Sequence, residues 1–560
     1  MSVEETGDIS TSVARDRIVD DDLQRVELLA IPVTLLVLLL AFGSLVAALV
    51  PVLLGLTAVA AGIGLLGPLS QIFPVEDSAT TVILLIGLAV GVDYALFYVI
   101  RSREERRRGA TLEEALERTS RTSGRTVIVS GTTVAIAMAG LFLAGADVLN
   151  GIAAGTIAVI VCAVVGSVTV LPAVLRALGP RIDRGRVPFL PPIVAEHDSR
   201  FWPALVERVL RRPLLAAGIS VALLLALAAP ALSLHLAKPS DLSLTARDDT
   251  ALRALAAVQR EFPAAGEPAF VVVTAPPSSR AAAARGLAQL ERRAVAAGIS
   301  QGAITANADR TAAMLSMPLD GDGANTASRQ SVETLRDRLV PEALGRVPGV
   351  ETAVTGQTAE DIDFTDQIRS SLPYVIAFVL VLAFCLLLVA FRSIVVPLKA
   401  VVLNLLSVGA SYGVLALVFQ HHWAEPILGF ESNDSIVAWL PLFLFVILFG
   451  LSMDYHVFIL SRVREAVDRG VPTDLAVQQS VAATGSVVTA AALVMVCVFS
   501  LFGTLSSLDL KQAGVGMATA ILLDATLIRG VLLPASLKLL GDRNWYLPGW
   551  LDRLPQAKVS

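Results

Sequence analysis

The chain has 560 residues, of which 55% are hydrophobic and only 17% are charged, and its formal net charge is −5 at pH 7. A water-soluble protein of this length needs more charge to cover its surface, so the composition excludes an ordinary soluble domain. The three cysteines lie inside apolar runs, which argues against a disulfide framework or a thiolate metal site; they are Cys162, Cys385 and Cys497.

The first residues, MSVEETGDISTSVARDRIVDDD, are acidic and polar, and they lack the basic-then-apolar order of a signal peptide. Downstream, eleven stretches are apolar enough, and nearly all long enough, to cross a hydrocarbon core of about 30 Å. The predicted spans are 28–41, 46–66, 80–100, 126–144, 152–175, 213–232, 371–391, 394–419, 437–460, 485–502 and 514–533.

Basic residues alternate between the two sides of these spans. The segments after the third and fifth spans each carry eight arginines, whereas the intervening loops 67–79 and 145–151 carry no arginine or lysine. Because short cytoplasmic loops are enriched in basic residues, this alternation places the arginine-rich segments in the cytoplasm. Residues 1–27 and 234–370 are then expected outside, and the C-terminus is expected in the cytoplasm.

Residues 234–370 are polar enough to form a domain outside the membrane. Segments 269–275, 312–319 and 350–356 have the composition of strands, and 281–297 and 328–343 that of amphipathic helices. Strands that alternate with helices predict a small α+β domain of the βαβ type.

The sequence repeats itself. A shift of 361 residues lays GVDYALFYVIRSRE (91–104) on SMDYHVFILSRVRE (452–465), a shift of 362 lays LPAVLRALG (171–179) on LPASLKLLG (533–541), and a shift of 349 lays FGSLV (42–46) on FRSIV (391–395). Both halves have the same inferred orientation, so the repeat is a parallel one. Binding sites of secondary transporters lie between such repeats, although a duplication can also build only a scaffold.

The repeat defines a domain organisation. Residues 1–27 match the end of an outer domain and its lead-in helix, and the stretch 213–355 has no counterpart in the first half. We therefore expect an N-terminally truncated chain, through either the gene model or evolution. The predicted parts are a remnant of a first outer domain (1–27), a first bundle of five spans (28–179), a cytoplasmic linker (180–212), one span (213–233), the outer domain (234–370), a second bundle of five spans (371–541) and a cytoplasmic tail (542–560).

Two aspartates occupy equivalent positions inside the membrane. Asp93 and Asp454 each precede by eight residues an arginine that marks the end of their helix, which places them about 12 Å inside. An aspartate at a helix centre costs about 2.5–3.5 kcal/mol, so two equivalent cases need a reason. Because adjacent residues point about 100° apart, Tyr94 is better placed to meet Asp454, and Tyr455 to meet Asp93. We interpret the four residues as a proton relay; the alternative is hydrogen-bonded contact between helices.

Asp524 and Arg529, in LLDATLIRG, form a second intramembrane set of charges. Five residues apart, they are not well aligned for one another on an α-helix, so each can reach a different helix. Their charges either balance those of the relay residues or neutralise each other. Their first-half counterparts are apolar, with Cys162 in place of Asp524.

Other polar and small residues allow simpler interpretations. His456 lies two positions from Asp454, on roughly the opposite face, and we interpret it as structural. His421 and His422 lack a matching carboxylate spacing and are weak metal candidates. Gly87 and Gly91 form a small-residue face that predicts close helix packing.

The motifs GVDYALFYVIRSREERRRG, GLSMDYHVFILSRVREAVDRG and LLDATLIRGVLLPASLKLLG resemble the MMPL branch of the RND (resistance–nodulation–division) superfamily over essentially the whole chain. The resemblance implies a polytopic helical membrane protein with two RND-type bundles and porter domains, and proton-driven export of lipids, glycolipids or drugs. It assigns the relay to Asp93, Tyr94, Asp454 and Tyr455, with a further charge pair at Asp524 and Arg529. This sequence departs from the family's twelve spans and two porter domains: it has about eleven spans and one extracytoplasmic α+β porter-like domain.

The sequence has no Walker-type phosphate loop and no nucleophile elbow, so ATP-driven transport and enzymatic activity have no support. We expect no cofactor, no metal and no nucleic-acid partner. The expected energy source is the proton gradient, and the expected partners are a hydrophobic or lipid substrate and membrane lipids. A monomer, a homo-oligomer such as a trimer, and accessory proteins all stay open. The alternatives are a non-transporting sensor, an assembly or translocation accessory and, least favoured, an intramembrane aspartyl protease.

Overall fold

The computed structural model describes residues 7–75, 77–186, 201–237, 249–261, 268–319, 326–432 and 434–551. Eleven helices in this part of the chain are long and apolar enough to cross a membrane. The prediction of a polytopic helical membrane protein with eleven spans is therefore confirmed.

The first bundle contains seven α-helices. They are α1 (Asp8–Phe42), α2 (Leu45–Leu69), α3 (Asp77–Arg107), α4 (Leu112–Thr119), α5 (Arg125–Ala139), α6 (Asp147–Val165) and α7 (Leu171–Leu178). The predicted span 28–41 is only the end of α1, because no glycine or proline interrupts residues 8–31. Gly43, at φ 66°, ends this helix in the left-handed conformation that glycine adopts readily.

Two helices connect the first bundle to a domain outside the membrane. They are α8 (Phe201–Arg211) and α9 (Pro213–Ala228). The elements that follow are β1 (Leu236–Ala237), α10 (Thr250–Glu261), β2 (Pro268–Thr274), α11 (Arg280–Ala296), β3 (Ala303–Ala306), β4 (Ala312–Pro318), α12 (Thr326–Thr334), α13 (Val340–Leu344) and β5 (Glu351–Thr355). We call residues 234–370 the α+β domain.

Four strands of the α+β domain form one sheet of antiparallel neighbours in the order β3–β4–β2–β5. The predicted βαβ type is present in split form, because the strands that helices connect, β2 with β3 and β4 with β5, run parallel with another strand between them. Hydrogen-bonded neighbours are antiparallel because β3, a short strand absent from the prediction, forms a hairpin with β4. Buried Val271 and Leu315 pack with Leu287 and Leu335 in a separate hydrophobic core.

The second bundle begins directly after β5. Its elements are α14 (Gln357–Phe391), α15 (Val395–Phe419), α16 (Glu425–Leu428), β6 (Ile436–Val437), α17 (Leu440–Asp468), α18 (Thr473–Phe502), α19 (Leu508–Leu523) and α20 (Leu533–Leu540). The short strands β1 and β6 pair in parallel and hold the exit of α9 beside the entrance of α17.

The two bundles repeat the same elements at the shifts found in the sequence. Helices α1 and α14 are both 35 residues long, and α2 and α15 are both 25 residues long. One side-chain hydrogen bond also recurs. Ser44 Oγ donates to the Ile182 carbonyl at 2.8 Å, and its counterpart Ser393 Oγ donates to the Asn544 carbonyl at 2.6 Å.

Helices α3 and α17 lie at the centre of the protein. Of their apolar stretches, 89% and 83% are buried, compared with 11% for α9. A Cβ at Gly91 of α3 would lie 2.8 Å from the Cα of Gly55 in α2, and one at Gly87 would lie 2.5 Å from Val159. The predicted close packing at Gly87 and Gly91 is thus present.

Helices α1 and α14 each reach the opposite bundle on the side of the α+β domain. Asp22 of α1 accepts hydrogen bonds from the backbone N–H of Ser506 at 2.5 Å and from its hydroxyl at 3.2 Å. Gln367 of α14 donates to the Ala144 carbonyl at 3.3 Å. These contacts connect the long helix of each half to a loop of the other.

Because of the close contact between α2 and α3, we expect alanine substitutions at two glycines to have opposite effects on stability. We expect Gly91→Ala to destabilise the protein by about 1–3 kcal/mol, because the new methyl group meets the backbone of Gly55. Gly64→Ala is the control, since no atom lies within 4 Å of the position that its methyl group would take, and it should be neutral or slightly stabilising. Equilibrium unfolding in mixed micelles measures both; equal stability of the two variants contradicts the packing.

Candidate functional site

One hydrogen bond joins the two halves in the middle of the protein. The hydroxyl of Tyr455, on α17, donates to Asp93 Oδ1, on α3, at 2.7 Å. Asp93 is 5% exposed and Tyr455 is 2% exposed, so water does not compete for this contact. This is one of the two crossed contacts that the sequence predicts.

In place of the second predicted contact, from Tyr94 to Asp454, the structure has a serine next to both side chains. Ser130 Oγ, on α5, donates to the hydroxyl of Tyr94 at 3.3 Å and is also within hydrogen-bonding reach of the Asp454 carboxyl group. Asp454 is only half-buried. The two aspartates are equivalent in sequence, but they have different partners and different exposure.

Asp524 and Arg529 form an ion pair with each other. In an α-helix, residues five apart are rotated by about 140°, so the sequence predicts separate partners. This prediction is wrong, because Asp524–Leu532 is a π-helix. Its backbone hydrogen bonds link residues five apart, so side chains five apart lie above one another. Both residues are 3% exposed.

Arg529 connects this ion pair to the contact between the halves. Its guanidinium lies 4.0 Å from the centre of the Tyr455 ring, a cation–π contact. Asp524 Oδ2 also accepts a hydrogen bond from Ser452 Oγ at 2.8 Å. A continuous series of contacts therefore runs from Asp93 through Tyr455 and Arg529 to Asp524.

Three polar residues of this cluster escaped prediction from the sequence. Ser130 links Tyr94 and Asp454, whereas Ser452 Oγ lies 2.8 Å from both Asp524 Oδ2 and Asn404 Oδ1. Asn404 did give a signal, since it is a buried amide in the middle of an apolar span. The two serines gave none, because serine is common in membrane helices.

Beside the ion pair lies a small cavity of about 20 Å³ between Asn404, Ser452, Asp524, Arg529 and Tyr455, roughly the space that one water molecule needs. Asp524 Oδ1, Arg529 Nε and Nη1, and Asn404 Nδ2 are buried and make no hydrogen bond within the described part of the chain. Buried polar groups are normally hydrogen-bonded, so the cavity is chemically suited to hold water.

Aromatic side chains close the cluster towards the arginine-rich segments. The rings of Phe97 and Phe458, which are equivalent in the repeat, are 5.2 Å apart, and Phe97 lies 5.5 Å from the Tyr455 ring. Arg462 lies over the Phe458 ring at 5.7 Å. These side chains therefore separate the polar cluster from the arginine-rich segments.

His456 and His422 lie apart from the contacts of Asp93 and Asp454. His456 is fully buried, and the charged groups that act on it are Asp524, Arg529 and Lys399, which places it on the side of the ion pair. His422 lies in a loop, where its Nδ1 is hydrogen-bonded to the Glu425 carboxylate at 2.7 Å, and this contact raises the pKa of the imidazole. Within the described residues, no group of three or more histidine, cysteine, aspartate or glutamate side chains has metal-site geometry.

Comparison with known proteins agrees with the resemblance found in the sequence motifs. The model of the MMPL family matches residues 1–216 and 243–556. The mycolic acid-containing lipids exporter MmpL11 of Mycolicibacterium smegmatis is 35% identical over 541 residues, which cover 95% of this chain and 56% of that protein. The trehalose monomycolate exporter MmpL3 of Mycobacterium tuberculosis is 32% identical over 576 residues, which cover 96% and 60%. The chain thus spans little more than half the length of these relatives.

A solved structure shows the same fold. The hedgehog release protein Disp of the water bear Hypsibius dujardini superposes with a TM-score of 0.63 at 14% sequence identity. The match covers 94% of this chain and 71% of that one. At this identity the likeness concerns the RND-type fold alone, and it agrees with the predicted fold class.

The asymmetry between the two tyrosines predicts unequal effects of their removal. We expect Tyr455→Phe to destabilise the protein by about 0.6–1.7 kcal/mol, because buried Asp93 loses its hydroxyl donor. Tyr94→Phe should cost less, since Ser130 remains within reach of Asp454. Unfolding in mixed micelles measures both variants, and equal losses contradict the asymmetric arrangement.

The π-helical ion pair predicts a strong coupling between its two members. Asp524→Cys alone should cost about 3–5 kcal/mol, because it leaves the buried Arg529 guanidinium without its counter-ion. The double variant Asp524→Cys with Arg529→Ser installs the residues of the first half, Cys162 and Ser167, and should be more stable than the single variant. If the double variant loses as much stability as the two single variants together, the pairing is contradicted.

Proposed function

The chain belongs to the MMPL family, and on that premise we propose that it exports lipid-like or hydrophobic molecules across the cytoplasmic membrane at the expense of a proton gradient. The observation that carries the proposal is the hydrogen bond from Tyr455 to Asp93, because it joins the two halves through a group that can bind and release a proton. In this proposal the arginine-rich segments and the C-terminus are cytoplasmic, whereas the N-terminus and the α+β domain face outward.

Charge balance supports a relay that takes up protons. The cluster holds three carboxyl groups, those of Asp93, Asp454 and Asp524, against the single guanidinium of Arg529. An uncompensated charge is costly in a low-dielectric interior. Since Arg529 is already paired with Asp524, the relay is electrically neutral when Asp93 and Asp454 each carry a proton. We infer that up to two protons move in each cycle.

Protonation of Asp93 would change the contact between the halves. An ionised Asp93 only accepts hydrogen bonds, as it does from Tyr455, whereas a protonated one can also donate. The contact between α3 and α17 is thus formed differently in the two protonation states. This difference would shift the packing of one bundle against the other, which is what alternating access needs.

The nature of the relatives supports a lipid-like cargo. Two proteins at 35% and 32% identity are named as exporters of mycolic acid-containing lipids and of trehalose monomycolate. We propose that this chain acts on molecules of that class and is not an enzyme. The alternatives, a non-transporting sensor or an assembly accessory, are separated from transport by the following experiment.

The test uses the full chain in proteoliposomes that contain a fluorescent acyl-trehalose and a luminal pH dye. We expect wild-type protein to couple movement of the lipid between leaflets to the proton gradient. A proton that moves down 100 mV supplies about 2.3 kcal/mol, enough to hold the lipid concentrations of the two leaflets at a ratio of about 50-fold. In Asp93→Asn and Asp454→Asn the gradient should no longer drive the lipid, and the ratio should fall to about one.

Asp147→Asn is the matched control, since Asp147 is an exposed acid at the start of α6 and should leave coupled movement unchanged. Equal gradient-driven movement by wild type and both relay variants contradicts the relay. A wild-type protein that moves neither protons nor lipid contradicts export and favours a sensor or accessory.

A further inference from the structure

Polar side chains inside the second bundle form a row that the first bundle lacks. At the shifts of 349, 361 and 362 residues, an apolar or small residue stands at each equivalent position of the first half. The pairs, with the second-bundle residue first, are Lys399 and Val50, Asn404 and Gly55, Ser452 and Gly91, His456 and Ala95, Asp524 and Cys162, and Asn544 and Ile182. The structure supports this register, because the Ser452 hydroxyl contacts Asn404 where their two glycine counterparts pack against each other.

The row leads from the ion pair towards the arginine-rich side. Asn404 and Ser452 are in contact at 2.8 Å, on the consecutive spans α15 and α17, which run in opposite directions. Lys399 precedes Asn404 by five residues, or about 7.5 Å, and His456 follows Ser452 by four residues, or about 6 Å. Both steps lead towards the arginine-rich segments, which the end of α17 approaches. Lys399 and His456 therefore lie at nearly the same depth.

The imidazole of His456 has charged neighbours and two nitrogen atoms without a hydrogen bond. His456 is 0% exposed, and neither ring nitrogen is hydrogen-bonded to any residue that the structure describes. The groups that act on the ring are the side chains of Asp524 and Arg529 on the π-helix, that of Lys399 on α15, and the carbonyl of Ser452 on its own helix. Buried polar groups normally have a partner, and a neutral imidazole can bind a proton at one nitrogen. The ring is thus chemically equipped to hold a proton beside the ion pair.

The ammonium group of Lys399 lies at the end of the row. Its Nζ donates to Asn544 Oδ1 at 3.1 Å, and within the described residues it makes no ion pair with a carboxylate. Asn544 is fixed in turn, since its Nδ2 donates to the carbonyls of Leu537 and Gly541 at 2.7 Å each. An ammonium has three N–H donors, so two remain for water that reaches this partly buried side chain.

The direct way out between the two bundles is less suited to protons. Phe97 and Phe458 face each other there at 5.2 Å, and Arg462 adds a positive charge over the second ring. Phenylalanine rings neither bind nor pass on a proton, and a guanidinium keeps its own. The row in the second bundle offers two groups that can change their protonation instead.

We propose that protons pass from the relay to the arginine-rich side through the second bundle, carried by His456 and then by Lys399. This inference rests on the proposed proton-driven export. The carboxyl group of Asp93 or Asp454 loses a proton and is left as a carboxylate. The neutral His456 ring takes this proton at one nitrogen, becomes an imidazolium and gives it to the neutral amine of Lys399. The resulting ammonium releases a proton to water, and both groups return to their first form.

The row is interrupted in this arrangement of the helices, since no hydrogen bond with a described residue reaches either nitrogen of the His456 ring. Coupled export needs such a break, because a continuous path would let protons pass without cargo. Passage through His456 then depends on how the bundles are packed, which is the quantity that export has to control.

The test measures lipid-dependent proton entry into proteoliposomes that contain the full chain and a luminal pH dye. We expect His456→Ala, which installs the residue of the first half, to slow proton entry by about 100-fold, because a proton-carrying group is lost. Added imidazole should restore the rate. Thiazole, a ring of similar shape that stays unprotonated near neutral pH, should not restore it. Lys399→Met should slow proton entry as well.

His421→Ala is the control, because His421 is exposed in the loop after α15 and should leave the rate unchanged. A wild type that moves no protons contradicts the proposed export and this route with it. Wild-type rates in both His456→Ala and Lys399→Met, while Asp93→Asn abolishes proton entry, overturn the route alone. Equal responses of His456→Ala to imidazole and thiazole show that the ring acts by packing, and they overturn the route as well.

Discussion

A charge inside the membrane persists only where another group compensates it, and this constraint organises the centre of the protein. Asp93, Asp454 and Asp524 share a single buried guanidinium, that of Arg529. Their contacts join α3, α5 and α17 to the π-helix after α19, so the arrangement of four segments depends on one polar cluster. Because these segments come from both halves, the polar cluster connects the two bundles directly.

The two bundles have matching helices but different charged residues. Helix lengths, helix ends and even the hydrogen bonds of Ser44 and Ser393 recur in both bundles. The charges do not, since the first half has Cys162 where the second has Asp524. The two aspartates also differ, since Asp93 is buried and Asp454 is half-buried, so the two carboxyl groups of the proposed relay have different surroundings.

Much of the architecture could be predicted, because hydropathy fixes the spans and the repeat identifies the paired aspartates. The contact between Asp93 and Tyr455 also follows from side-chain directions on ideal helices. The contact between Asp524 and Arg529 does not, since it requires a π-helix whose hydrophobic pattern looks like that of an α-helix. Strand β3 was missed because its residues, Ala303–Ala306, are exposed on both faces and show no alternation. Because β3 lies between α11 and β4, the neighbouring strands β2 and β4 are antiparallel, which the sequence did not predict.

The length of α14 has a mechanical consequence. With 35 residues it is about 52 Å long, and it runs unbroken from the end of β5 through the full thickness of the bilayer. Tilted as one body by about 5°, a helix of that length displaces its far end by about 4–5 Å. A small tilt of α14 within the membrane would therefore move β2 and β5, the strands that it contacts.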